Sequence, residues 1–248
     1  MASIPAHRTN SQRPDERCNF CALSPLCLPA AFDEENLNEL ESIISSGKQY
    51  LPKQTVFNQG DAFHSLHVVK SGAVKTYITD TTGNECVTGF YLPGEIIGLE
   101  SIAGRIHLST AATTTDCRLC IISYENLAKL RKNNSSLSDW AVNLFSSSLA
   151  SDHSFFQCLS LHSANARLAT FLLDISKRSS RTAKYQLEFT LPMSRQDIGN
   201  YLGLACETTS RAFSRLINSQ YIKKNSRQIT ILDLAKLLAQ TNLCTPQS

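Results

Sequence analysis

The spacing of apolar and polar residues changes character three times along the chain. Up to residue 17 ("MASIPAHRTNSQRPDER") it has no period, which predicts a polar, mobile tail. "DEENLNELESIISSG" from Asp33 then places Leu37, Leu40, Ile43 and Ile44 at helical spacing, with Gly47 as the stop. Between 47 and 104 the texture is different. Eight of the ten glycines fall there, and Gly60, Gly72, Gly83 and Gly94 recur every 11 or 12 residues. The runs between them, "QTVFNQ", "SLHVVKS", "AVKTYIT" and "CVTGFYL", have strand character, and "HLSTAATTTDCRLCIIS" supplies closing strands. Turn glycines at this spacing between short β-rich runs predict a small antiparallel roll or sandwich.

From Tyr124 the period becomes helical. "SLSDWAVNLFSSSLASDHSFFQCLS" sets Leu137, Ala141, Phe145, Leu149, Asp152, Phe156 and Leu159 at steps of three and four. This predicts one long helix over 136–159 with a single stripe, apolar except at Asp152. Such a stripe either packs on its own roll or pairs with a second copy of the chain. In a symmetric pair, two Asp152 carboxylates would approach across the axis and oppose association.

After a further amphipathic helix, "ARLATFLLDISKRS", and a strand, "YQLEFTLP", comes "MSRQDIGNYLGLACETTSRAFSRLINSQYIKKNSRQITIL". Ser194 opens an S-x-x-D cap ahead of Ile198, Tyr201 and Leu202, and Gly203 breaks that helix. A second helix is expected from about Ala205 to Asn218, with Thr209, Phe213, Leu216 and Ile217 on its buried face. Two short helices around a glycine turn, followed by two strands, are a winged helix-turn-helix. The opposite face of the second helix carries Glu207, Ser210, Arg211 and Ser214, side chains that pair with base edges in a major groove. Lys223, Lys224 and Arg227 on the wing are placed to meet phosphates.

Charge supports that division. The net charge is +3, but residues 161–248 carry +7 and residues 1–160 carry −4. A basic C-terminal part on an acidic N-terminal part suggests a nucleic-acid-binding unit joined to something else. No signal-peptide-like run and no stretch of ~20 apolar residues is present, so the expectation is a cytoplasmic protein with no membrane association and reduced thiols. In that setting the nine cysteines are not a disulfide framework. Cys18, Cys21 and Cys27 form C-x2-C-x5-C, a metal-ligand pattern in need of a fourth donor. Four thiolates suit either zinc or an iron–sulfur cluster, and Cys18, Cys21, Cys117 and Cys120 would make two C-x2-C pairs for zinc.

At this point the sequence resembles the CRP/FNR transcription regulators, and specifically their oxygen-responsive FNR branch. "DIGNYLGLACETTSR" is similar to the FNR recognition motif, with Glu207, Ser210 and Arg211 matching E-x-x-S-R. "LPKQTVFNQGD", "SGAVKTY" and "TGFYLPGEIIG" resemble the family's β-roll, and the cysteine spacing is that of FNR. The resemblance implies an α+β protein: a cyclic-nucleotide-binding-like β-roll, a long dimerisation helix and a C-terminal winged helix-turn-helix. It implies a [4Fe-4S] cluster on Cys18, Cys21, Cys27 and a roll cysteine; "CIISYENL" fits the family pattern through Cys120, whereas Cys117 stands three residues too early. It implies a homodimer on a palindromic double-stranded operator with TTGAT-type half-sites, assembled without oxygen through Phe145, Leu149, Asp152 and Phe156, and no enzymatic activity. RNA polymerase is an expected partner, through loops around Ser71 and 79–87. Cyclic nucleotide is not: where its phosphate would meet an arginine the chain has Ser109 and Thr110, with Arg105 four residues earlier. The expected units are 1–30 (cluster-binding segment), 31–125 (roll), 126–160 (dimerisation helix) and 161–248 (winged helix-turn-helix). A zinc-stabilised, haem or nitric-oxide-responsive sensor on the same fold, and an iron–sulfur electron carrier, are the alternatives.

Overall fold

A computed structural model describes Cys18, Cys21–Leu23, Cys27 and residues 34–161, 163–180 and 184–241; the expected tail 1–17 and Cys244 lie outside the described residues. Helix α1 (Glu34–Ile43) buries Leu37 and Leu40, as its spacing predicts, but it ends earlier than expected. The chain passes at Ile44 directly into strand β1 (Ile44–Tyr50). Gly47, expected as the helix stop, lies inside that strand at a register shift between Ser45 and Lys48, with φ 84°. Pairing with a later strand overrides the local helical spacing there.

The roll is built from β1, β2 (Thr55–Phe57), β3 (Ser65–Ser71), β4 (Val74–Thr79), β5 (Glu85–Tyr91), β6 (Ile96–Ile97), β7 (Thr110–Thr113) and β8 (Cys117–Ser123). They form two four-stranded antiparallel sheets, ordered β1-β8-β3-β6 and β2-β7-β4-β5. Strand alternation sorts the side chains of β8 and β3. Cys117, Leu119 and Val69 face the interior cluster with Tyr50, Phe57 and Val74. Ile122, Leu66 and Val68 face a second cluster, against which Cys120 packs and in which Leu37, Leu40 and Leu137 are buried.

Helices α2 (Tyr124–Asn133), α3 (Ser135–Leu161) and α4 (Ala164–Ser179) follow. Ser123 caps α2 and Ser163 caps α4, each accepting from a backbone N–H three residues on. The C-terminal unit adds β9 (Glu188–Thr190), α5 (Arg195–Tyr201), α6 (Cys206–Asn218), β10 (Ile222–Asn225), β11 (Gln228–Ile231) and α7 (Leu234–Gln240). The expected cap is present: the Ser194 hydroxyl accepts from the Asp197 N–H at 3.0 Å, and the Ser194 N–H donates to the Asp197 carboxylate at 3.3 Å. Gly203 takes φ 62° at the turn between α5 and α6. Gly199 lets the two helices meet, since a Cβ there would stand 2.7 Å from the Thr209 hydroxyl and 2.9 Å from the Leu204 carbonyl.

The largest apolar cluster crosses from one unit to the other. Val87, Phe90 and Leu92 of the roll share it with Phe171 and Ile175 of α4 and with Ile198 and Phe213 of the helix pair. The C-terminal unit is therefore packed on the roll of its own chain.

Candidate metal centre and nucleic-acid interface

Cys18, Cys27 and Cys120 pack against the cluster that α1, β3 and β8 build on one side of the roll. Burial pushes the Cys18 thiol up to about 12, and the neighbouring Cys120, Glu41 and Cys21 push the same way. Burial also raises the Cys120 thiol, with Cys21 adding to it, while Lys70 and the Gly47 backbone N–H act in the opposite sense. Cys21 is near enough to Cys18 and Cys120 to act on both electrostatically, and Cys27 packs on the same apolar cluster. Among the described residues, no three cysteine, histidine or acidic side chains stand close enough together to hold a metal ion. The donors fit a cation in kind: soft sulfurs, mutually repulsive as thiolates, partly withdrawn from water.

The other cysteines are elsewhere. Cys117 is buried inside the roll, where burial raises its thiol to about 11. The pair of C-x2-C motifs considered for zinc is therefore not brought together, because Cys117 faces away from Cys120. Cys158 is buried, and Cys86 and Cys206 are exposed.

The root of α3 is tied to the cysteine cluster through Leu137, with Trp140 and Leu144 packed alongside. Beyond that most of its stripe is exposed. Phe145 is 42% exposed, Leu149 58% and Phe156 71%, and Val142 joins them as a residue the sequence reading left out. Val142, Leu149 and Phe156 are seven apart, as are Phe145 and Asp152, so the row has the a/d spacing of a helix pair with Asp152 at one d position. Asp152 itself is exposed. Phe155, off the stripe, stacks on Tyr201 at 4.2 Å between ring centroids.

A groove of about 440 Å³ lies between the roll and α3, walled among others by Thr76, Ile78, Tyr91, Glu100, Ser109 and Asp152. Its charged walls are carboxylates. The Ser109 hydroxyl donates to Glu100 at 3.2 Å, Thr110 accepts from the Gln59 N–H at 3.0 Å, and Arg105 lies over the Tyr124 ring, 4.5 Å from its centre.

On α6, Thr209, Phe213 and Leu216 are buried as expected, but Ile217 is not. It is 37% exposed, and Ala212 occupies the buried position instead. Ala212 lies about one turn before Leu216 on the same face, whereas Ile217 is rotated past the seam. Glu207, Arg211 and Ser214 are exposed and Ser210 is half-buried, on the face away from the core. Glu207 and Arg211 pair at 2.6 Å, one helical turn apart. On the wing Lys223 and Arg227 are exposed. Lys224 donates to the Ser226 carbonyl, and its ammonium is lowered by burial and by Arg195. A helix face of this kind beside a basic wing suits a major groove flanked by phosphates.

Known proteins carry the same two parts. Residues 47–134 match the cyclic nucleotide-binding domain family, and residues 166–240 match the Crp-like helix-turn-helix domain family. The transcriptional activator protein Anr of Pseudomonas protegens is 36% identical over 222 residues, which cover 90% of this chain and 91% of Anr. The fumarate and nitrate reduction regulatory protein of Vibrio cholerae is 36% identical over 221 residues, covering 89% of this chain and 88% of its own. Among solved structures, FixK2 from Bradyrhizobium japonicum superposes with a TM-score of 0.73 at 27% identity, covering 81% of this chain and all of that one.

Proposed function

Because the chain belongs to the CRP/FNR family of transcription regulators, which are not enzymes, we propose that it is an oxygen-responsive regulator that binds a palindromic operator as a homodimer. The observation that supports this most is the placement of Cys18, Cys27 and Cys120 on the cluster that also anchors the root of α3, with Cys21 near enough to raise the Cys18 and Cys120 thiols. A [4Fe-4S] cluster on those four thiols would supply iron–thiolate bonds that tie the N-terminal segment to β8 and are open to attack by oxygen.

The rest of the account concerns the chain's own residues. Cys18 and Cys27 pack on the same apolar cluster as Leu137, Trp140 and Leu144. Fixing the segment there sets the angle at which α3 leaves the roll. The uncovered row of Val142, Phe145, Leu149 and Phe156 gains by pairing with a second copy, while Asp152 opposes it. Pairing is then a small balance, and a few kcal/mol of differential stabilisation tips it. Once paired, two α6 helices present Glu207, Ser210, Arg211 and Ser214 to successive major grooves, with Lys223, Lys224 and Arg227 on the phosphates. The surface around Ser71 and 79–87, exposed except at Val87, is what is left for RNA polymerase.

The test is fluorescence anisotropy on a duplex with an inverted TTGAT repeat and on a scrambled duplex, without oxygen and after air. Tight binding to the repeat that air weakens is the expected result. Equal binding before and after air would remove the oxygen response, and equal binding to both duplexes would remove the half-site assignment.

A further inference from the structure

The C-terminal unit is clasped to its own roll by polar contacts as well as by the shared apolar cluster. Arg178, in the last turn of α4, points its guanidinium at the roll. Its Nε and one Nη donate to the two oxygens of Glu95, each at 2.7 Å, the same Nη donates to the Phe90 carbonyl, and the other reaches Asp174 at 2.7 Å. This is the two-pronged geometry that makes arginine–carboxylate contacts both strong and directional.

At the far end of the seam, Asn200 of α5 meets β5, the edge strand of its sheet. The Val87 N–H donates to the Asn200 carbonyl oxygen at 2.6 Å, and the Asn200 amide donates to the Glu85 carbonyl at 2.6 Å. The side-chain amide thus pairs with the open edge as a further strand would. Between the two ends, Lys75 bridges Asp197 at 2.8 Å and Glu85 at 2.9 Å. Asp197 also caps α5, so the start of the helix-turn-helix is held to the roll through one carboxylate.

We propose that Arg178 and Asn200 are positioning residues for DNA binding: they seat each helix-turn-helix on the edge of its own roll, so that both recognition helices of a dimer are held at one fixed spacing. Two features support the seated arrangement as the DNA-competent one. Neither residue lies on the face that carries Glu207 and Arg211, and that face remains open to solvent while the clasp is closed. A palindrome with half-sites one turn apart needs two helices whose separation does not wander. A groove beside the clasp is walled by Leu92, Arg178, Phe189 and also by Leu23, two residues after Cys21. The cysteine segment therefore reaches this seam directly, in addition to the root of α3.

The test uses full-length protein purified without oxygen, as Arg178→Ala, as Asn200→Ala and as the exchanged pair Arg178→Glu with Glu95→Arg. Hydrogen exchange reads the clasp with no DNA present. Arg178→Ala should speed exchange of the Val87 amide, at the other end of the seam, by at least about tenfold, because the contacts open together. On the inverted-repeat duplex, at concentrations where sedimentation shows all dimer, both single variants should bind roughly tenfold more weakly with unchanged metal content, and the exchanged pair should recover part of the loss, since a glutamate in place of Arg178 cannot donate to the Phe90 carbonyl and stands beside Asp174. Asn200→Ala, at an exposed position, carries the test if Arg178→Ala does not fold. An unaltered Val87 exchange in Arg178→Ala would overturn the proposal, as would DNA affinity that is kept or increased at equal dimer content.

Discussion

Cys117 and Cys120 stand three residues apart on β8 and face opposite sides of it, Cys117 into the interior of the roll and Cys120 toward Cys18. The two thiols therefore answer differently to the same substitution. Cys120→Ser should lose most of the iron retained after anaerobic purification. Cys117→Ser should keep it, while a hydroxyl among Tyr50, Phe57 and Leu119 costs about 1–3 kcal/mol of stability. Iron per chain and the urea midpoint separate the two, and the reverse pattern would exchange their roles.

Asp152 occupies a position in the α3 row whose neighbours Phe145, Leu149 and Phe156 are exposed and apolar. Removing its charge should favour pairing. Asp152→Ala is expected to raise the association constant in air by roughly fivefold, about 1 kcal/mol for two like charges at close range in water. Sedimentation equilibrium in air measures this, and an unchanged monomer fraction would take Asp152 out of the balance.

The two parts of the DNA-facing surface should respond in different ways. Arg211→Ala or Glu207→Ala should cost about 1–3 kcal/mol on the inverted repeat and reduce discrimination against the scrambled duplex. Lys223→Ala should weaken binding to both duplexes alike and lower the salt slope by about 1. Loss of discrimination in Lys223→Ala, with Arg211→Ala neutral, would place base contact on the wing instead.

His67 adds a pH dependence independent of any metal. Burial, followed by the nearby His107 and Lys48, lowers its imidazole to about 4 from 6.5. Its Nδ1 has no hydrogen-bond partner, and its ring is tilted against Phe57. The unfolded chain takes up this proton near pH 6.5 and the folded chain only near pH 4. Stability is therefore intact above pH 6.5 and falls as pH drops from 6.5 to 4, by about 3 kcal/mol in all. Urea midpoints of the wild type and His67→Gln across this range should show the slope in the first and a smaller one in the second.

How far these features were legible in the sequence depends on how local their causes are. Turn glycines and short β-rich runs locate most strands of the roll, and Ser194, Gly203 and the spacing of Thr209, Phe213 and Leu216 locate the helix-turn-helix, because caps and periods act within a few residues. Strand β1 escapes because its partner β8 lies some 70 residues away, and Ile44 had already been counted in the helical stripe. Whether the α3 stripe is covered by the chain itself is invisible to periodicity; exposure decides it. The contacts of Arg178 with Glu95 and of Asn200 with β5 leave no trace in spacing, since they join residues 83 to 115 positions apart. Strand alternation with period two could have divided Cys117 from Cys120, but the sequence reading separates them only by the family pattern.

The most direct measurement is the iron and acid-labile sulfide content of the anaerobically purified protein, with absorbance and sedimentation followed as air is admitted. The account predicts about four of each per chain, a broad visible absorbance that bleaches in air, and loss of dimer in step with the bleaching. A colourless protein, or one whose dimer content is the same before and after air, would contradict it.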